Sequence, residues 1–337
     1  MTNQTHRNLS IDIMKGIAIL LMIWEHYTTS RLPYEQAFVY SFHIPLFFLV
    51  GGYLAKDIDS LADIWRCTKK NAIRLLLPVV VTILAMTFIR SIHYFEYYDW
   101  QIAMKYVVSQ FLPIDKSLNE INVGPMWFLL ALFWTREFFM IIQYVVQKYK
   151  YVRSGYREIL ILICGIILSL LAQRLYPTFH PLCIMQGICG LVFYVLGMIS
   201  KRHQIPWMII TILILCWPFS VLFGHVELME CAYNFPLDIM GSCGATYLLY
   251  QICNSVYAFN CKYSWLKNSP ILLRWCGIYS LPILCVHSME RQFWSLGYQL
   301  PIEATPFDMV FLRILLVLIV SVVIVNVPYL KKLFGVV

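Results

Sequence analysis

The chain has 337 residues, 60% of them hydrophobic and 13% charged, with a mean hydropathy of +0.68; soluble globular domains carry nearer a quarter charged residues, so that class is excluded. The net charge is +8, but the basic residues are dispersed over separate intervals and build no patch interleaved with aromatics, which excludes a nucleic-acid reader. The expected architecture is all-α and polytopic, a single integral membrane domain over residues 1–337.

Ten apolar runs follow one another along the chain. They lie near 11–30, 38–55, 75–95, 123–145, 157–174, 183–200, 206–224, 236–258, 271–290 and 307–329, close to the roughly 20 residues that cross a hydrocarbon core of about 30 Å. With both termini on the cytoplasmic side, seventeen of the 26 Lys and Arg residues fall inside and six outside, and Lys15, Arg136 and Arg313 lie within spans. This bias fixes the expected orientation. The N-terminus lacks a signal-peptide cleavage pattern, so the first helix is expected to remain in the mature protein. The eleven cysteines include no CxxC pair and fall mostly within spans; they read as small apolar residues, with no disulfide framework and no metal site. The longest polar interval, from about Phe95 to Asn122, is a candidate lid.

The first run is the most informative, because it carries Asp12, Lys15, Glu25 and His26. An ionisable group near the bilayer centre costs roughly 2.5–3.5 kcal/mol, so each is a functional candidate. From Lys15 to His26 is three helical turns with about 20° left over, which puts both on one face roughly 16 Å apart. Asp12 sits one turn before Lys15, where the two can pair. Glu25 points about 100° from His26, towards a second wall of the same cavity or a neighbouring helix.

Five segments in order carry a family resemblance: IDIMKGIAILLMIWEH, FHIPLFFLVGGYL, KKNAIRLLLP, PMWFLLALFW and GIYSLPILCVH. Together they resemble the membrane acyltransferase-3 family, in its fucose 4-O-acetylase-like branch. The resemblance implies about ten transmembrane helices in a bacterial inner membrane and transfer of an acyl group, usually acetyl from cytoplasmic acetyl-CoA, to a hydroxyl of a cell-surface glycan or its precursor. It also implies a basic residue eleven positions before a catalytic His, here Lys15 and His26. The family more often has Arg at the first position, and a small residue where this chain has Glu25. The Lys is a point charge where Arg would fork onto carboxylate or phosphate.

His26 suits the implied chemistry, since imidazole is well matched to take a proton from a hydroxyl attacking a thioester. It can act as base or as acyl carrier; the competing reading is a structural His bonded to a backbone carbonyl. Lys15 either holds part of the donor or only orients Asp12. Lys69, Lys70 and Arg74, with Arg66, form a basic helix end suited to the phosphates of CoA, although topology bias explains the same charges. His43, Tyr53, Trp127 and His287 are the candidates for the acceptor side. Gly51 and Gly52 allow close helix approach or an irregular turn, and Trp127 can equally be an interfacial anchor. Glu290 beside His287, and Arg136 with Glu137, add polar groups that buried pairing between helices would also explain. The expected partners are acetyl-CoA, a glycan or lipid-linked sugar acceptor and membrane lipids, without nucleic acid, with homo-oligomerisation left open. The rival class is a transporter or exporter that uses the polar stripe as a proton relay.

Overall fold

The computed structural model describes residues 8–28, 33–95, 99–111, 124–148, 154–176, 181–262, 271–296 and 306–336. Among them the regular structure is helical, apart from one isolated antiparallel bridge between Glu227 and Ala232. The first part of the chain gives α1 (Leu9–Thr28), α2 (Pro33–Tyr40), α3 (His43–Tyr53), α4 (Leu61–Asn71), α5 (Leu77–His93) and α6 (Trp100–Ser109). Then come α7 (Trp127–Lys148), α8 (Ser154–Leu175), α9 (Ile184–Cys189), α10 (Leu191–Arg202) and α11 (Trp207–Phe223). The last part gives α12 (Leu237–Lys262), α13 (Ile271–Ile278), α14 (Ser280–Ser295), α15 (Pro306–Asn326) and α16 (Pro328–Leu333).

The described residues of the ten apolar segments are mainly helical, yet their shapes are less uniform than ten straight spans. Among the described residues four helices are long and apolar enough to cross a membrane: Leu61–His93, Gly124–Lys148, Tyr156–Leu175 and Asp308–Asn326. Two bent pairs add to these, α9 with α10 at 45° and α13 with α14 at 79°. Apolar side chains such as Leu84, Phe88, Leu215 and Ile319 point outward and are more than half exposed. A surface of that kind belongs in lipid, and the protein is a multi-pass membrane protein. The candidate lid contains α6; residues 96–98 and 112–122 lie outside the described residues.

The breaks have local causes. Between α4 and α5 a π turn covers Ala72–Leu76, and the Leu77 N–H reaches back to the Ala72 carbonyl. Pro78 has no N–H to offer the Arg74 carbonyl four residues earlier, so the regular ladder cannot run through this point. Between α13 and α14 the chain turns at Tyr279, and Pro282 in the first turn of α14 forgoes only a hydrogen bond that a helix start lacks anyway.

At the centre of the bundle α1 packs against α3, α12, α13, α14 and α15. Its start is capped by Asn8, whose side-chain oxygen accepts the Ser10 and Ile11 N–H groups at 3.1 and 3.3 Å. The α1/α13 crossing is backbone against backbone. A Cβ on Gly16 would lie 1.9 Å from the Leu273 carbonyl oxygen, and one on Gly277 would lie 1.7 Å from that of Asp12. The α3/α10 crossing is built the same way from Gly52 and Gly197, which bears out the close approach expected of the GG pair. Small residues at such contacts let helices gain van der Waals packing that a lipid environment does not otherwise favour.

Gly277→Val should force α1 and α13 apart at an overpacking cost of about 1–3 kcal/mol. A lower thermal unfolding midpoint in detergent than that of the wild type is expected, while Leu84→Val on the lipid-facing side leaves the midpoint unchanged.

Candidate functional site

A cavity of about 690 Å³ runs beside α1, a size typical of small-molecule sites. Lys15, Ile19, Met22 and His26 all line it. These residues recur at helical spacing, so one stripe of α1 forms a wall of the cavity for three turns, roughly 16 Å. The middle is apolar, with Phe47, Leu75, Phe128 and Leu132.

The end nearer the start of α1 is rich in cations. Lys15 is there, paired with Asp12 at 3.1 Å as the spacing allowed. Lys70, Arg74 and Arg66 reach the same space from α4 and the π turn, and Arg66 also faces Asp63 at 3.6 Å. Arg136 of α7 completes the group. Its Nη1 donates to Asn71 Oδ1 at 3.2 Å, and Asn71 in turn donates to Glu137 Oε1 at 3.1 Å. Thr68 holds the other Glu137 oxygen. Tyr194 is a further polar neighbour of Arg136, whose buried Nε has no acceptor among the described residues. Sequence reasoning grouped Arg136 with Glu137 as polar groups of the spans and missed its place beside Lys70 and Arg74. The signal available was an Arg midway along an apolar helix, which needs a polar cavity or a partner.

The other end is more neutral and aromatic. His26, Tyr40, His43 and Trp127 line it, together with Val226 and Glu227 from the segment between α11 and α12. That segment is tied down by Asp238, which accepts from Ser220 Oγ at 2.6 Å, the His225 N–H at 3.0 Å and the Asn234 N–H at 2.7 Å. Burial raises the Glu227 carboxyl above the usual carboxylate range, and the neighbouring Glu230 charge adds to the shift. His43 spends Nδ1 on the Val39 carbonyl at 2.8 Å. Trp127 is buried against the cavity, which removes it from a lipid-facing anchoring position.

Among the described residues the His26 ring has no backbone carbonyl partner. Its Nδ1 lies 2.8 Å from His287 Nε2 of α14, and its Nε2 lies 3.7 Å from Glu25 Oε2. Glu25 is fully buried and faces α2, with the Tyr40 side chain as its polar neighbour there. His287 is also fully buried and stands behind His26, away from the cavity wall. Four other candidates also lie off the cavity, of which Asp12 and Glu25 are buried on α1 without lining it. Lys69 is exposed on α4, and Tyr53 packs in an apolar cluster with Ile13, Val50 and Ala245. Among the described residues no group of three or more His, Cys, Asp or Glu could hold a metal ion.

The chain is 26% identical over 136 residues to nodulation protein NolL of Sinorhizobium fredii, covering 37% of this chain and 34% of the relative. It is 27% identical over 138 residues to NolL of Mesorhizobium japonicum, covering 38% and 34%. The chain therefore spans about a third of the length of these curated relatives. No solved structure matches. Residues 8–326 match the acyltransferase domain family Acyl_transf_3, and with that match across the bundle and its cavity the chain belongs to the membrane acyltransferase-3 family.

Proposed function

We propose that this protein is an O-acetyltransferase of the bacterial inner membrane, with ten crossings and both termini in the cytoplasm. It takes acetyl from cytoplasmic acetyl-CoA and delivers it to a hydroxyl of a cell-surface glycan or its lipid-linked precursor. The observation that carries this reading is the single cavity joining a cation-rich end to His26 along one stripe of α1.

The donor is polyanionic at one end and reactive at the other. Lys70, Arg74 and Arg136, with Lys15 further in, receive its phosphates at the cytoplasmic end; an Arg with an unused buried N–H can add a charge-assisted hydrogen bond. The apolar middle takes the pantetheine arm and brings the thioester towards His26. At the outer end Trp127 and Tyr40 offer aromatic faces, and Glu227 an acceptor for hydroxyl groups, a combination suited to a sugar.

His26 takes the hydroxyl proton as the oxygen attacks the thioester carbon. The C–S bond breaks, and the proton passes from His26 to the departing thiolate, so ester and thiol form in balance. The Glu25 carboxyl, beside His26 Nε2, favours the imidazolium that forms in between. Membership of an acyltransferase family weighs against the transport alternative.

His26→Ala should lower transfer from radiolabelled acetyl-CoA by about 10²–10⁴-fold without changing the unfolding midpoint; transfer at the wild-type rate would refute the assignment. Lys70→Ala combined with Arg136→Gln should raise the KM for acetyl-CoA about tenfold. An unchanged KM would reduce these charges to a topological signal.

A further inference from the structure

Behind His26 lies a chain of buried and half-buried polar groups that the acetyl-transfer reading does not use. The His26 and His287 ring planes differ by only 14° and their centroids are 5.1 Å apart. With 2.8 Å between Nδ1 and Nε2, the rings meet edge to edge in nearly one plane, as an N–H···N hydrogen bond requires. His287 Nδ1 lies 3.2 Å from the Tyr27 hydroxyl, which donates to Glu290 Oε2 at 2.5 Å. Glu290 Oε1 accepts from Arg313 Nε at 2.5 Å, and the Arg313 guanidinium sits 3.8 Å over the Tyr27 ring. Tyr27, His287, Glu290 and Arg313 come from α1, α14 and α15, and none of the four lines the cavity.

The protons along this chain can be assigned in order. An ionised carboxylate only accepts, so Tyr27 gives its single hydroxyl proton to Glu290. The Tyr27 oxygen then offers only lone pairs to His287, so His287 carries its proton on Nδ1. A neutral imidazole protonated at Nδ1 has a bare Nε2. His26 must therefore donate through Nδ1, which leaves its own Nε2 without a proton beside the Glu25 carboxyl 3.7 Å away, the form a base needs.

We propose that Arg313, Glu290, Tyr27 and His287 are positioning residues that hold His26 in the Nδ1-protonated tautomer. This rests on the acetyl-transfer reading and deepens it. The direction of the relay is set at its far end, by a guanidinium that can only donate.

The test exploits that asymmetry. In Glu290→Gln the amide oxygen must face Arg313, so the amide NH₂ faces Tyr27 and the chain reverses. Tyr27 then donates to His287, His287 donates through Nε2, and His26 takes its proton on Nε2 and loses its base. The kcat for acetyl-CoA hydrolysis by the purified protein should fall about 10²-fold or more, with KM and unfolding midpoint unchanged. In ¹⁵N-histidine NMR the bare nitrogen of His26 should move from Nε2 to Nδ1. Tyr27→Phe should cost less than tenfold, because Glu290 Oε2 remains 3.6 Å from His287 Nδ1 and can take over the contact.

Wild-type kcat in Glu290→Gln, or a loss in Tyr27→Phe as large as in Glu290→Gln, would overturn the relay. So would a wild-type spectrum with His26 protonated on Nε2, which needs no variant to fold. His26→Ala measured alongside separates the two readings. If it is inactive while Glu290→Gln is normal, only the relay fails; if it is fully active, the role of His26 fails with it.

Discussion

A polar side chain inside an apolar bundle costs several kcal/mol unless another polar group meets it, and α1 carries Asp12, Lys15, Glu25 and His26 through the middle of this one. Each is met differently. Asp12 and Lys15 pair with one another one turn apart. Glu25 has the Tyr40 side chain of α2 as a polar neighbour, and His26 is met by His287 from α14. Those partners dictate which helices surround α1, because a helix without a polar group at the right height cannot complete the set.

The same requirement explains the crossing of α1 and α13. His287 reaches His26 only if α14 starts close to α1, and α14 continues from α13 through a 79° bend. Gly16 and Gly277 bring the α1 and α13 backbones into contact just before that bend. Packing and chemistry are therefore coupled here: the side-chain volume absent from two glycines is what allows a histidine pair in the adjoining turns.

The cavity divides its chemistry along its length. Cations from α1, α4, the π turn and α7 converge at one end, and a histidine backed by a buried relay stands near the other. The apolar wall between them, from Ile19 and Met22 to Phe128 and Leu132, keeps these cations away from His26. In such a low-dielectric setting charges act over longer distances than in water, so the separation along the cavity is what limits how strongly these cations bear on His26.

Much of this was legible in the chain itself, because helical periodicity and burial cost are local properties. They identified the ten helical segments, the shared face of Lys15 and His26 and the Asp12–Lys15 pair. Other features depend on helices far apart in sequence meeting at one height, for which spacing along the chain contains no information. Lys69 and Lys70 are neighbours in sequence, yet only Lys70 reaches the cavity, since consecutive residues point about 100° apart on a helix. Arg136 joined the cations of α4 only because α7 packs against α4. His287 looked like an acceptor contact from its position near a helix end, but the bend before α14 and the packing of α15 turned it away from the cavity, with Glu290 and Arg313 behind it. The sequence by itself determined a membrane bundle with a histidine on a polar stripe. Tertiary structure alone decided what stands behind that histidine, because a hydrogen-bond partner 261 residues away is chosen by packing and not by periodicity.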